Sequence, residues 1–247
     1  MKRYRLTLEY DGSGFVGWQR QDSGFSVQAA VEGAFAKFCG HEVAIVAAGR
    51  TDSGVHAMGQ VAHVDLERDW STLKIRDALN WHLKPFGVQA LEVSEAPPEF
   101  HARFSAVHRV YLYRICDRRA RPVLDKGRVW HVERRLDVEA MRAGAAVLVG
   151  HHDFSSFRAK ECQSKSPVKT LDRFDISRQG DEITAWVEAR SFLHHQVRNM
   201  IGSLKLVGEG RWTPADIADA LAARDRRAAG PTAPPDGLYL VRVDYPA

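Results

Sequence analysis

Val43-Ala-Ile-Val-Ala47, the loop Ala48-Gly49-Arg50-Thr51-Asp52-Ser53-Gly54-Val55-His56-Ala57, and then Gln60 to Leu66 form the stretch that decides how this chain folds. Val43 to Ala47 and Gln60 to Leu66 are both β-like, so two strands follow each other with only the loop between them. Upstream, residues 3–10 alternate, with Tyr4, Leu6, Leu8 and Tyr10 on one face and Arg3, Arg5, Thr7 and Glu9 on the other, which predicts a strand. Ser26 is placed to cap a helix with apolar positions Val27, Val31, Phe35 and Phe38, and Gly40 ends it. Downstream, Ser71 caps a second helix (Leu73, Leu79, Leu83) and Val88 to Val93 reads as strand. The order is β-α-β-β-α-β, the split βαβ or ferredoxin-like unit. Such sheets with one open face are frequent RNA-binding platforms. Fold alone does not fix function.

The second half resembles the first loosely. Arg109 to Cys116 and Gly127 to Val132 read as strands, and Asp137 starts a helix through Met141, Ala145 and Leu148 to Gly150. Lys169 to Ser177 and Ile183 to Ala189 face each other across Arg178-Gln179-Gly180-Asp181, a hairpin turn. Helices follow from about His194 to Val207 and from Pro214 to Ala223, the latter capped by Thr213, and Leu238 to Val243 is a last strand. Arg226 to Gly237, rich in Ala, Pro and Gly, reads as a mobile loop. The expected class is α+β: two ferredoxin-like halves, residues 1–105 and 106–247, sharing a mixed, mainly antiparallel sheet.

The loop between the two central strands concentrates chemistry. Gly49 and Gly54 let the backbone turn tightly and approach a ligand. Asp52 lies two residues from the Arg50 guanidinium on a connection fixed at both ends, which suits a reactive carboxylate. A turn aspartate that only bonds its own backbone is the plainer reading.

Composition narrows the partners. The 247 residues are 45% hydrophobic and 27% charged, the balance of an ordinary soluble globular protein. No apolar run approaches the roughly 18 residues of a membrane span, and the start of the chain lacks an apolar signal core, so a cytoplasmic location is expected. Three scattered cysteines (Cys39, Cys116, Cys162) form neither a disulfide framework nor a CxxC metal site. Net charge is +4, yet Arg103 to Arg135 holds ten Lys and Arg against Asp117, Asp125 and Glu133, so the rest of the chain is slightly acidic. A basic block interleaved with Phe104, Tyr111, Tyr113 and Trp130 suits RNA, cations for phosphates and rings for unstacked bases. The competing account of that block is a solvated charged face.

Gly12-Ser13-Gly14-Phe15-Val16-Gly17 matches GxGxxG after a strand. A dinucleotide site needs the helix to begin at the last glycines; here Trp18-Gln19-Arg20-Gln21 intervenes, so Trp18 and Arg20 are better read as contacts to RNA backbone or base. The pairs His151-His152 and His194-His195 diverge on a helix or strand, so neither pair is expected to face one metal easily. Arg109-Val110-Tyr111-Leu112-Tyr113-Arg114 puts both tyrosines on one strand face, where they pack or, beside Arg109, stack on a base.

Taken together, Leu8-Glu9-Tyr10-Asp11-Gly12 with Gly17-Trp18-Gln19-Arg20-Gln21, the Gly49 to Ala57 loop, Phe100-His101-Ala102-Arg103-Phe104-Ser105, Tyr111-x-Tyr113, His152-Asp153-Phe154-Ser155-Ser156-Phe157-Arg158, His194-His195-Gln196-Val197-Arg198-Asn199 and Gly237-Leu238-Tyr239-Leu240 closely resemble the tRNA pseudouridine synthase A family. The likeness runs in order from about residue 5 to 245. It implies the pseudouridine synthase fold and isomerisation of uridine at positions 38, 39 and 40 of the tRNA anticodon stem-loop, without a cofactor or a metal, by a homodimer. By resemblance Asp52 is the catalytic carboxylate, acting as nucleophile at the sugar or as charge partner, Tyr111 packs on the uracil, and Arg198 ion-pairs with the aspartate. Arg50 would fill the gap left by the extruded base. Trp18, Arg20, Arg109 and Arg158 are the remaining expected RNA contacts. A non-catalytic RNA-binding protein on the same fold is the alternative.

Overall fold

Alternation over the first ten residues becomes β1 (Lys2–Tyr10), whose Tyr4, Leu6, Leu8 and Tyr10 are buried while Arg3, Arg5 and Thr7 stay partly exposed. The computed structural model describes residues 1–246; Ala247, the last residue of the expected second half, lies outside them. The chain divides into two compact units, Met1–Val107 with the segment from Tyr239 onward, and His108–Leu238.

In the first unit, α1 (Val27–Cys39) starts where the Ser26 hydroxyl accepts the Ala29 amide and stops at Gly40 in the left-handed conformation. Then come β2 (Ile45–Ala47), β3 (His56–Leu66), α2 (Thr72–Leu83), capped by Ser71, and β4 (Val88–Ala96). β1 lies between β3 and β4, antiparallel to both, and β2 pairs with the far half of β3 from Ile45↔Val64 to Ala47↔Ala62. The other half of that edge is taken by the last strand, numbered β10 (Leu238–Asp244), parallel to β3 at Tyr239↔His56. Val31 and Phe35 of α1 and Ile75, Leu79 and Leu83 of α2 are buried with the apolar face of β1, forming one core. The opposite face of β1 carries Arg3, bonded to Asp65, and Arg5 over the Phe100 and Tyr245 rings.

In the second unit, β5 (His108–Cys116) pairs with a two-residue β6 (Trp130–His131), shorter than the Gly127 to Val132 run suggests. α3 (Val138–Leu148) is followed by β7 (Gly150–Asp153), a short polar strand that sequence patterning does not reveal, and then by β8 (Val168–Gln179) and β9 (Glu182–Ala189). The antiparallel order is β5-β9-β8-β7. α4 (Gln196–Gly208) and α5 (Pro214–Ala223) complete the unit, α5 with a Thr213–Asp216 capping box. Ten strands and five α-helices thus make an α+β fold among the described residues, with β10 parallel to β3, β6 parallel to β5, and antiparallel pairing in β4-β1-β3-β2 and in β5-β9-β8-β7.

The Arg226 to Gly237 segment is not loose. Arg226 donates to the Ala229 and Gly230 carbonyls and to Asn199 Oδ1, Thr232 donates to the same Oδ1, and the Gly230 amide donates to Ser203 Oγ. α4 holds it along much of its length.

Candidate active site

In the first unit the Asp52 loop is fixed from several directions. The Ala48 amide donates to the Val61 carbonyl (2.7 Å) and the Val55 amide to the Asp52 carbonyl (3.1 Å). Tyr10 and Thr51 share a hydroxyl hydrogen bond of 2.8 Å, while Gln60 Nε2 donates to the Gly49 carbonyl at 2.8 Å and to Tyr10 at 3.4 Å. Burial pushes the Tyr10 phenol up to about 12, the bonds to Thr51 and Gln60 acting the other way. Gln60 Oε1 is buried without a partner among the described residues. Such an atom costs about 1–3 kcal/mol, and the two donated bonds at the other end of the amide offset it.

The glycine-rich turn after β1 is the second brace. The Trp18 amide donates to the Thr51 carbonyl (3.0 Å), and the Phe15 carbonyl accepts from the Gly54 amide (3.4 Å) and the Ser53 hydroxyl (3.2 Å). The Gly12 amide donates to His56 Nδ1 at 3.1 Å. A Cβ on Gly12 would overlap the Val55 carbonyl; Gly17 has φ +111° and a Cβ there would lie 2.7 Å from the Thr51 carbonyl oxygen. These glycines permit backbone to meet backbone, with another loop where a cofactor would lie in a dinucleotide fold. His56 is buried and stacks on Tyr239 at 4.7 Å, a supporting position.

Of the expected contacts in this unit, Asp52 is half-buried and Arg50 exposed. Trp18 is only 3% exposed and packs on Tyr10, so its side chain supports the loop from beneath. Arg20 is exposed at the end of an ion pair with Glu32 of α1 (2.7 Å). Sequence reasoning missed Tyr10, Thr51 and Gln60 as supports; the signal available was a glutamine at a position buried on β3.

The second unit carries the other expected residues. Tyr111 is half-buried on β5 and meets Phe192 edge to face at 5.1 Å. Tyr113, on the same face, is fully buried and donates to the Pro234 carbonyl (2.8 Å); burial raises its phenol well above the ordinary value, against the pull of the Arg198 charge. Arg198 on α4 is half-buried, and its Nε donates to the Ala233 carbonyl at 2.8 Å. Arg109 donates to the Arg190 carbonyl at 2.6 Å, and Arg158 follows the 3-10 turn Ser155–Phe157. Asn199 is a hub beside Arg198: Nδ2 donates to the Phe157 carbonyl and Oδ1 accepts from Thr232 and Arg226. Tyr111 and Arg109 thus both meet the segment after β9, whereas Arg198 holds the docked loop.

Among the described residues, no helix is long and apolar enough to cross a membrane. The sequence model of a family described as tRNA pseudouridine synthase matches residues 7–105 and 145–246. The chain is 60% identical to a tRNA pseudouridine synthase A of Paramagnetospirillum magneticum over all of this chain and 96% of that protein. It is 58% identical to the one of Afipia carboxidovorans and 59% to that of Rhodospirillum centenum, over 99% of this chain and 100% of each relative. The matched stretches contain Asp52 and its glycine brace, as well as Arg158, Arg198 and the docked loop. On a family match over most of the chain and near-full-length relatives above half identity, this chain belongs to the tRNA pseudouridine synthase family.

Proposed function

We propose that this chain isomerises uridine to pseudouridine at positions 38, 39 and 40 of the tRNA anticodon stem-loop, with Asp52 as the catalytic carboxylate. The observation that carries the assignment of Asp52 is its position: a half-buried carboxylate on a short loop whose backbone is bonded to β3 and to the glycine turn. A rigid mount of that kind removes the reorganisation a reacting group would otherwise undergo. The N-glycosidic bond of the target breaks, the uracil turns, and its C5 bonds to the sugar carbon while the C5 proton leaves and N1 regains one. Asp52 acts as nucleophile in this sequence. Tyr111 offers its ring to the extruded uracil, and Phe192 against its edge keeps that ring in one orientation. Arg198 is the cation that sustains the charge on the carboxylate. Arg50, exposed on the same loop as Asp52, occupies the space the base leaves in the stack. Arg20, Arg109 and Arg158 supply backbone contacts.

The enzyme is read as cytoplasmic and as a homodimer; light scattering checks the second point by giving twice the chain mass. All the relatives named above carry a synthase name, which favours catalysis over a binding-only role. Tritium release from [5-³H]uridine-labelled tRNA tests the assignment. Wild type releases tritium and Asp52→Ala does not, while still binding tRNA. Release by both proteins would place the catalytic carboxylate elsewhere, and release by neither, with tRNA still bound, would favour the binding-only role.

A further inference from the structure

A cavity of about 330 Å³ opens in the second unit at the edge formed by β7 and β8, lined by His151, Val168, Lys169, Thr170, Arg190 and Ser191. No carboxylate lines it. Lys169 is half-buried and Arg190 exposed, and neither has an acidic partner among the described residues. Arg173 on the same strand differs, being held by Asp175 and Glu188. His151 and Thr170 lie opposite each other across the β7–β8 ladder, joined by a bond of 3.0 Å between Nδ1 and Oγ1. Arg109 fixes the Arg190 carbonyl at 2.6 Å, so the backbone at the end of β9 is anchored where the cavity begins.

We propose that this cavity holds a phosphodiester of the RNA backbone, at the target nucleotide or its immediate neighbour. The proposal rests on the functional reading given above and adds an anchor to it. Two cations without internal counter-charges, with the Thr170 and Ser191 hydroxyls lining the same cavity, match a phosphate's charge and acceptor oxygens. Exposure of His151, Thr170 and Arg190 suits a polymer running past, where a small metabolite would call for enclosure. Val168 supplies an apolar patch for a ribose. Phe192, two residues beyond Arg190, touches the Tyr111 ring. Two residues of extended chain span at most about 7 Å, so a phosphate held at Arg190 belongs to the nucleotide whose base reaches Tyr111, or to the next one. The site therefore acts in register with base capture: it holds the strand while the base leaves the stack.

The test is a salt titration of tRNA binding by the full chain, comparing wild type with the double variant Lys169→Gln, Arg190→Gln. Two lost phosphate contacts lower the slope of log K against log salt by about 1.4–1.8. KM rises while kcat at saturating tRNA stays close to wild type, and Lys169→Arg with Arg190→Lys restores the slope. Arg173→Gln, whose cation is already paired, keeps the wild-type slope, and unchanged unfolding midpoints show that all variants fold. A double variant with the wild-type slope overturns the proposal. Calorimetry with inorganic phosphate separates the other source of the same chemistry: phosphate binding lost in the double variant while the tRNA slope is unchanged would make this a free-phosphate site. If wild type neither binds nor isomerises tRNA, the functional reading fails first and takes the anchor with it.

Discussion

Tyr10, Thr51 and Gln60 form a buried polar cluster at the Asp52 loop, and Tyr10 is the member that touches both others. Tyr10→Phe removes one hydroxyl and leaves Gln60 bonded to Gly49. The stability cost is about 1 kcal/mol, that of one net hydrogen bond. The kinetic cost is larger, because small displacements of a reacting group are expensive: kcat falls by about 10- to 100-fold with tRNA affinity unchanged. Single-turnover kinetics reads this, and a normal kcat in a destabilised variant would show that the cluster holds the fold and not the loop. His63 offers a second test at this scale. Its Nδ1 accepts the Ala102 amide, and burial, then the charges of Arg3 and His101, lower its pKa from 6.5. The unfolded chain therefore takes up the proton first, and stability is full above about pH 6.5 and declines as pH falls below it. Thermal unfolding between pH 7.5 and 5.5 should show that decline in wild type and a shallower one in His63→Gln. Equal slopes would assign the effect to other histidines.

At the scale of elements, the glycine turn and the Asp52 loop behave as one body. Gly17→Ala must hold an L side chain at φ +111° and push the new Cβ against the Thr51 carbonyl. Backbone strain of that kind costs about 1–3 kcal/mol. The variant should melt earlier and lose isomerisation in proportion; a lower melting temperature with full activity would uncouple the two loops. The same pair of loops shows what a sequence can and cannot reveal. Strand alternation, the Ser26, Ser71, Asp137 and Thr213 caps and the Gly40 stop are local signals, and each marks an element end found in the structure. The role of the GxGxxG-like glycines was not legible: context argued against a dinucleotide site, but the backbone they approach, the Thr51 and Val55 carbonyls, is distant in sequence. β3 begins at His56, ahead of the readable run from Gln60, because Gly59 interrupts the pattern; a Cβ there would lie 2.5 Å from the Val241 carbonyl of β10. The docked segment 226–237 was unreadable for a related reason, since its partners Asn199 and Ser203 are outside it in sequence.

Across the whole molecule, formal charge overstates what is available to RNA. The chain carries +4, with a surplus of seven in Arg103 to Arg135. Within that block Arg114 is held by Glu182 and Asp125, and Arg135 by Asp117 and Asp181. Asp117 is buried between Arg135 and Arg178, so these arginines neutralise an internal charge before they meet any ligand. Arg119, Arg121, Lys126 and Arg134 are exposed and have no such partner among the described residues. Arg118 is intermediate: it is exposed, with Asp181 3.7 Å away. An exposed pair at that distance is worth little, yet it offsets part of the cation's pull on a phosphate. Replacing Arg118 and Arg119 together by Ala should weaken tRNA binding and lower the slope of log K against log salt by about one, since each full phosphate contact accounts for about 0.7–0.9 and Arg118 contributes less than one. Arg119 with Arg121 should give the larger fall, because neither is offset. An equal or smaller effect from that second pair would mean that proximity to RNA outweighs internal pairing in ranking these cations. Unchanged affinity in both double variants would leave the whole loop facing solvent.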